Sequence, residues 1–299
     1  MLLESVLTGA VRGGTSILFP TIGEVIAERS GVINLGTEGC MLGGALAAYA
    51  VGIETGSVWA GVLAGIVAGA ALALLHAFLV VTRGANQIAT GLVITFLALG
   101  LTALYGQDYV GQGVNPITPV AIPGLADLPF VGPILFDHDP LTYLAFLAAP
   151  AAWYLLFRTR TGMLVRSAGE RPEVLEAFGA SPSRVRYLAV VAGGALAGLG
   201  GAQLSTAFTL NWSENMTVGR GFVAVALVIF AAWDPRKAVI GAYLFSGSVS
   251  LQLQLQARGW ELSRYLLEAL PYLTVIVVLV ALSRRRLHAA PEALARVFG

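Results

Sequence analysis

Long stretches of this chain are almost free of charge, and that absence fixes the solvent in which it can fold. A helix that crosses the hydrocarbon core of a bilayer needs roughly 20 mostly apolar residues. The sequence offers about nine such runs, at 13–28, 33–51, 57–81, 87–105, 140–157, 187–208, 219–233, 238–256 and 266–283. Hydrophobic residues make up 57% of the 299 positions and charged residues only 12%, where soluble domains carry about 45–50% and about 25%. So few charges could not cover the surface of a water-soluble fold of this size. The reading is an all-α polytopic membrane protein. Residues 1–299 form a single transmembrane domain of about nine helices, since only helices or closed barrels satisfy their backbone in lipid. The N-terminal segment lacks the basic-apolar-small pattern of a cleaved signal peptide, so the first run is expected to remain.

The same composition excludes several functions. A net charge of +1 provides no basic field for nucleic acid. One cysteine, Cys40, forbids an internal disulfide or a cysteine-based zinc cluster, and His76, His138 and His288 are too scattered for a zinc-protease motif. Lys237 is the sole lysine and follows Asp234-Pro235-Arg236, outside any phosphate-binding loop. If ATP drives this protein, a separate subunit hydrolyses it. No cofactor is implied, and no nucleophile–base or metal set marks an enzyme.

Arginine and lysine in the loops set the orientation. With 158–186 placed in the cytoplasm, alternation puts Arg29, Arg83, Arg158, Arg160, Arg166, Arg171, Arg184, Arg186, Arg236, Lys237, Arg284, Arg285, Arg286 and Arg296 inside. Arg12, Arg220, Arg258 and Arg264 fall outside. The N-terminus is then external and the C-terminus internal. The loop at about 106–139 becomes an irregular external cap, because Pro116, Pro119, Pro123, Pro129 and Pro133 cannot share a helix interior.

Three places concentrate polar chemistry. Ser30-Gly31-Val32-Ile33-Asn34-Leu35-Gly36-Thr37-Glu38-Gly39 sets an amide and an acid at i and i+4 among glycines at the mouth of a span. A charge in the bilayer is costly and faces a path or a partner helix, so Glu38 has two readings, substrate contact or helix packing. Glu24, beside Glu28 and Arg29, reads as an acid solvated at the interface. Asn86, Gln87 and Thr90 open a span and read first as helix-capping residues and second as residues lining the path. Asn211-Trp212 suits recognition of a sugar or base, and equally an aromatic belt at the membrane surface. In the inner loop, Pro172 suits a helix start, Glu173 and Glu176 its positive end, and Gly179 its stop. Val174, Leu175 and Phe178 would form one apolar face for docking a partner. Gly61, Gly65 and Gly69, like Gly39 with Gly43 and Gly194 with Gly198, have the spacing of close helix packing.

Three ordered motifs give the chain a resemblance to the permease family of bacterial ABC importers for nucleosides and simple sugars. They are G-V-I-N-L-G-T-E-G from Gly31, G-x-x-x-R-x-x-G-x-x-P from Gly162, and M-T-V-G-R-G-F from Met216 leading to Trp233-Asp234-Pro235. The resemblance covers nearly the whole chain, within a superfamily that also holds branched-chain amino acid permeases. It implies a multi-pass subunit of the bacterial cell membrane. Its implied partners are ATP-binding subunits, a second permease subunit (the same chain or another) and an extracytoplasmic substrate-binding protein. On the reading of the residues above, Asn34, Glu38, Gln87, Asn211 and Trp212 are the candidates for the substrate path. Arg166, Gly169, Pro172, Val174, Leu175, Phe178 and Gly179 become candidates for coupling to the ATPase. The chain departs from the family at Arg171, where Asn commonly precedes the proline, and at Val174-Leu175, where an Ala pair is usual. Two rival readings are a branched-chain amino acid permease and an ion- or proton-coupled transporter with Glu24 or Glu38 as carrier.

The orientation is testable with single cysteines in a Cys40→Ala background. An impermeant thiol reagent applied to intact cells should label Asp127→Cys and spare Arg171→Cys; the opposite pattern overturns the assignment.

Overall fold

The computed structural model describes residues 2–260, 263–283 and 290–294. Arg284, Arg285, Arg286 and Arg296, which entered the charge asymmetry, and His288 lie outside the described residues. The helices in chain order are α1 (Leu2–Arg29), α2 (Thr37–Thr55), α3 (Val58–Ala77), α4 (Gln87–Gly106), α5 (Val131–Leu135) and α6 (Pro140–Arg158). They continue with α7 (Arg160–Glu170), α8 (Pro172–Ala177), α9 (Pro182–Gln203), α10 (Arg220–Ala231), α11 (Pro235–Ala257) and α12 (Arg264–Ser283). α3 and α9 each finish on a π-helical turn, Phe78–Thr82 and Leu204–Phe208. By length and composition, Val58–Thr82, Gln87–Tyr109, Pro140–Arg158, Pro182–Phe208 and Pro235–Ala257 can each cross a membrane.

Helix starts follow local chemistry. The side chains of Ser57, Asn86, Asp139, Thr159, Ser181 and Asp234 each accept a backbone N–H of the first turn they precede. Proline opens α6, α8, α9 and α11, where its missing N–H costs nothing. α1 begins at Leu2, well before the expected position 13, because its first half packs on α11.

Glycine sets the helix spacing in the core. A Cβ on Gly65 would stand 2.8 Å from the Gly44 carbonyl oxygen, and one on Gly69 2.7 Å from Gly198 Cα. At the same crossing, a Cβ on Gly44 would lie 2.7 Å from the Gly198 carbonyl oxygen. α2, α3 and α9 therefore touch backbone to backbone, as the small-residue spacing predicts. α9 is buried over most of its length, while α3, α4, α6 and α11 leave most of their apolar surface exposed. Leu63, Val67, Val93, Phe96, Leu104 and Leu147 are among the exposed side chains, as suits contact with lipid rather than water.

α6 has 19 residues and so separates two loop ends by about 28 Å. One end carries residues 107–139, an irregular cap with one turn of helix, α5. It also holds a two-residue hairpin, β1 (Val120–Ala121) and β2 (Asp137–His138), which the helix-only expectation did not include. The Tyr49 hydroxyl donates to the Gln112 carbonyl at 2.5 Å and ties this cap to α2. The other end carries the junctions α1–α2 and α6–α9. There the α6–α9 loop contains α7 as well as the expected short helix.

α10 differs most from its expected form. Its 12 residues rise only about 18 Å, short of the roughly 30 Å hydrocarbon core. Its first residue, Arg220, donates to Ser16 Oγ at 3.0 Å, midway along α1, rather than lying at the outer end of a full span. The irregular segment 209–219 precedes it.

Gly69→Val should force α3 from α9 and lower the thermal midpoint of the purified protein, overpacking costing about 1–3 kcal/mol. Gly100→Ala, where no atom lies within 4 Å, should leave the midpoint unchanged or raise it. Equal midpoints for the two variants would refute the backbone-contact reading.

Candidate functional site

Two interruptions of helix face each other across α2, and polar side chains hold both. The first is the segment between α1 and α2, residues 30–36. Its backbone leaves helical pairing, so every N–H and C=O must find a partner away from water. Gln87, at the start of α4, accepts from Ile33 N at 2.8 Å through Oε1 and donates to the Gly31 carbonyl at 3.4 Å through Nε2. His76 Nε2 pairs with the Ile33 carbonyl at 3.0 Å, and Thr95 Oγ1 donates to the Leu35 carbonyl at 3.1 Å. Glu24 accepts from Asn34 N at 2.7 Å and from Thr37 Oγ1 at 2.9 Å. Arg186 Nε donates to the Ser30 carbonyl at 3.2 Å. Asn34 folds its side chain back to accept from Gly36 N at 2.9 Å.

Glu24 is thus buried and fully engaged, and the expectation of an acid solvated at the interface is corrected. Glu28 is buried too and accepts from Trp233 Nε1 at 2.5 Å. Trp233 and Ala232 hold positive φ, turning the chain sharply between α10 and α11. Next to them, burial pushes Asp234 up, but hydrogen bonds from Arg236 and the nearby charges of Arg236 and Lys237 outweigh it and hold the carboxyl below its usual range.

The second interruption is 209–219, and Glu38 governs it. Glu38 is 3% exposed. Its Oε1 accepts from Thr217 Oγ1 at 2.6 Å and Gly219 N at 2.9 Å, and its Oε2 accepts from Gly221 N at 2.6 Å. An acid from the first turn of α2 therefore caps the half-helix α10, where the helix dipole favours negative charge. A Cβ on Gly221 would stand 2.6 Å from Glu38 N, so glycine is required for this approach.

Asn34, Glu38 and Gln87 accordingly gather around the break. Asn211 and Trp212 do not join them. Asn211 is exposed, whereas Trp212 is 2% exposed and packs with Met41, Leu42, Leu204 and Met216, its indole against Gly106. Neither a surface belt nor an open recognition site describes that tryptophan.

The coupling candidates divide in a similar way. Gly169 packs against the Arg29 carbonyl and Gly31 N, so the α6–α9 loop rests directly on the break. Arg186 strengthens this seam by donating to the Ala168 carbonyl at 3.0 Å. Arg166 donates to the Leu156 carbonyl at 2.9 Å and lies 5.2 Å from the Phe157 ring centre, which ties it to the end of α6. Pro172 opens α8 and Gly179, at φ +77, follows its end. Val174 and Phe178 point outward, 45% and 85% exposed, but Leu175 is 4% exposed and anchors α8 in its own subunit. The single three-residue apolar face is corrected to a two-residue outer face with an inner anchor. A groove of about 330 Å³ beside it is lined by Met163, Arg166, Ser167, Glu170, Arg171 and Val174.

His76, Thr95, Arg186, Thr217 and Glu28 were not singled out from the sequence. Their signal was a polar side chain in or beside an apolar run, where hydrocarbon demands a partner.

A helical protein with broken apolar helices and polar groups held between them is built as a membrane transport protein. The chain belongs to the family described as branched-chain amino acid transport system / permease component, whose model matches residues 6–280. It is 39% identical, over 91% of its own length and 90% of the other's, to a Haloferax volcanii protein provisionally named a glucose ABC transporter permease. It is 33% identical to the guanosine ABC transporter permease of Bacillus subtilis, over 88% and 87% of the two chains. It is 32% identical to a nucleoside ABC transporter permease of Lactococcus lactis subsp. cremoris, over 93% and 92%. No solved structure matches the chain.

Glu38→Leu should leave two buried N–H groups and a hydroxyl without their acceptor, at about 1–3 kcal/mol each. Glu38→Gln keeps one acceptor oxygen and should lose less. Thermal midpoint and uptake should fall together, Leu below Gln. Loss of uptake at an unchanged midpoint in both variants would contradict the capping role.

Proposed function

We propose that this chain is the membrane-spanning subunit of an ATP-driven importer for nucleosides or simple sugars, residues 1–299 acting as one transmembrane domain of the bacterial cell membrane. Nine apolar helices carry it across, α10 together with 209–219, with the N-terminus outside and the C-terminus inside. It works with ATP-binding subunits that hydrolyse ATP, a second permease subunit and an extracytoplasmic binding protein. Asn34, Glu38 and Gln87 act by shaping the interrupted helices along the path.

The observation that carries the reading is the outer face of α8. Phe178 and Val174 lie one turn apart, exposed beside an open groove, on a loop braced against the α1–α2 break. An aromatic side chain held out from an otherwise packed loop suits a partner's pocket. Relatives named for glucose, guanosine and nucleoside transport support a neutral, hydroxyl-bearing substrate. The family description favours branched-chain amino acids instead. A zwitterion, however, needs partners for both of its charges, and the carboxylates of Glu24 and Glu38 are already taken up by the protein's own donors. The same engagement speaks against either acid as a proton carrier.

Burying a Phe side chain contributes about 1.5–3 kcal/mol, so Phe178→Ala should weaken ATPase association by about tenfold or more. Membrane insertion and thermal midpoint should stay normal. Leu175→Ala should instead lower the midpoint of the subunit itself, through a core cavity costing about 2–5 kcal/mol. Labelled adenosine, glucose and leucine uptake, each with ATPase co-purification, would check both claims. Unaltered association and uptake in a Val174→Ala, Phe178→Ala double variant would remove the docking role.

A further inference from the structure

Arg220 is a cation in the middle of the helical bundle, and the described residues leave most of its hydrogen-bonding capacity unused. Its guanidinium has five N–H donors, and among the described residues one acceptor is found for them, Ser16 Oγ at 3.0 Å. It lies 5.6 Å from the centre of the Phe208 ring, the last residue of the π-helical turn after α9. Among the described residues no carboxylate stands within salt-bridge distance of it. Glu38, whose charge acts on it, has both oxygens occupied by Thr217, Gly219 and Gly221. A charge at this depth is retained where it faces a polar path.

The guanidinium borders a cavity of about 90 Å³ between α1, α10 and α11, shared with Gly13, Phe208, Phe245, Ser246 and Ser250. That volume admits a few waters but no sugar ring, so it is a constriction in this conformation. Beside the cavity the seam is closed by small groups. A Cβ on Gly13 would stand 2.6 Å from Ser246 Oγ, and Gly9 meets Ser250 one turn away, while the Tyr243 ring packs on Gly14. The segment before Arg220 is strained as well, Val218 holding φ +46 against the preference of a β-branched residue. Strain and π-helical turns both gather at functional positions.

We propose that this constriction is a gate on the translocation path for a neutral, hydroxyl-bearing solute, and that Arg220 is its selectivity residue. As α11 draws away from α1, the guanidinium donates to the solute's hydroxyl or carbonyl oxygens. Ser246 and Ser250 offer further hydroxyl partners, and Phe208 and Phe245 meet the apolar face of the ring. The fixed positive charge bars cations and protons from the same opening, as an arginine does in other solute pores. The proposal rests on the importer reading and adds to it the place and chemistry of selection.

The test uses the assembled importer, with its ATPase and binding protein, in proteoliposomes carrying a pH-sensitive dye. Unaltered protein should take up adenosine or glucose when ATP is supplied and hold its proton gradient. Failure of ATP-driven uptake for both solutes would sink the importer reading itself. Arg220→Gln should lower uptake about tenfold, as loss of a charge-assisted hydrogen bond predicts, and should speed proton leak during turnover. Its ATP hydrolysis, stimulated by loaded binding protein, should stay within about twofold, and Arg220→Lys should restore the proton barrier. A merely structural role would lower uptake and hydrolysis together without leak, and would overturn the gate. Should Arg220→Gln not assemble, Ser246→Cys in a Cys40→Ala background supplies a second measure. During turnover it should react faster with a neutral thiol reagent than with a cationic one, and substrate should protect it. Equal rates for both reagents, or no reaction, would count against the proposal.

Discussion

Backbone that leaves helical pairing inside a membrane must find every partner from other parts of the chain, and several polar residues within these helices answer that demand. Residues 30–36 take donors and acceptors from α1, α3, α4 and α9, through Glu24, His76, Gln87, Thr95 and Arg186. Residues 209–219 take theirs in part from Glu38, which itself follows the first break. The two irregular segments are therefore not independent. An unsatisfied amide in hydrocarbon costs several kcal/mol, so disturbing one break carries a penalty to the other.

This dependence connects one end of the molecule to its middle by direct contact. The α6–α9 loop rests through Gly169 and Arg186 on the end of α1 and the first break. Thr37 and Glu38 open α2 from that break, and Glu38 reaches the start of α10 beside Arg220. Movement imposed on α7 and α8 from outside thus meets rigid, hydrogen-bonded structure all the way to the middle of the bundle. α8 itself is held by Leu175 and leaves Val174 and Phe178 exposed.

The sequence was most legible where a single local rule decides. Apolar run length located most of the helices, and Asn86 marked the start of α4. Pro172 and Gly179 bracketed the inner helix for the reasons the structure displays. It was least legible where tertiary partners decide. Glu24 and Trp212 looked suited to an interface because their neighbours are polar, yet long-range packing draws both inside. The apolar run 219–233 read as a span, because composition cannot reveal that its first residue begins midway along α1. Val174 and Leu175 are adjacent and similar, and only the fold turns one outward and the other in.

Glycine at the α2, α3 and α9 crossings has a mechanical consequence. Helices that meet through side chains can trade rotamers and settle into a second arrangement, as sliding elements do in hinge and shear motions. Here Gly44, Gly65, Gly69, Gly194 and Gly198 leave nothing between the backbones to rearrange. Those three helices form a chassis that travels whole or stays put. Gly23 fastens α1 to the same chassis, its Cβ position 2.5 Å from the Gly193 carbonyl oxygen, so any alternation between two shapes of this subunit must be worked by the other helices around it, α10 and α11 foremost.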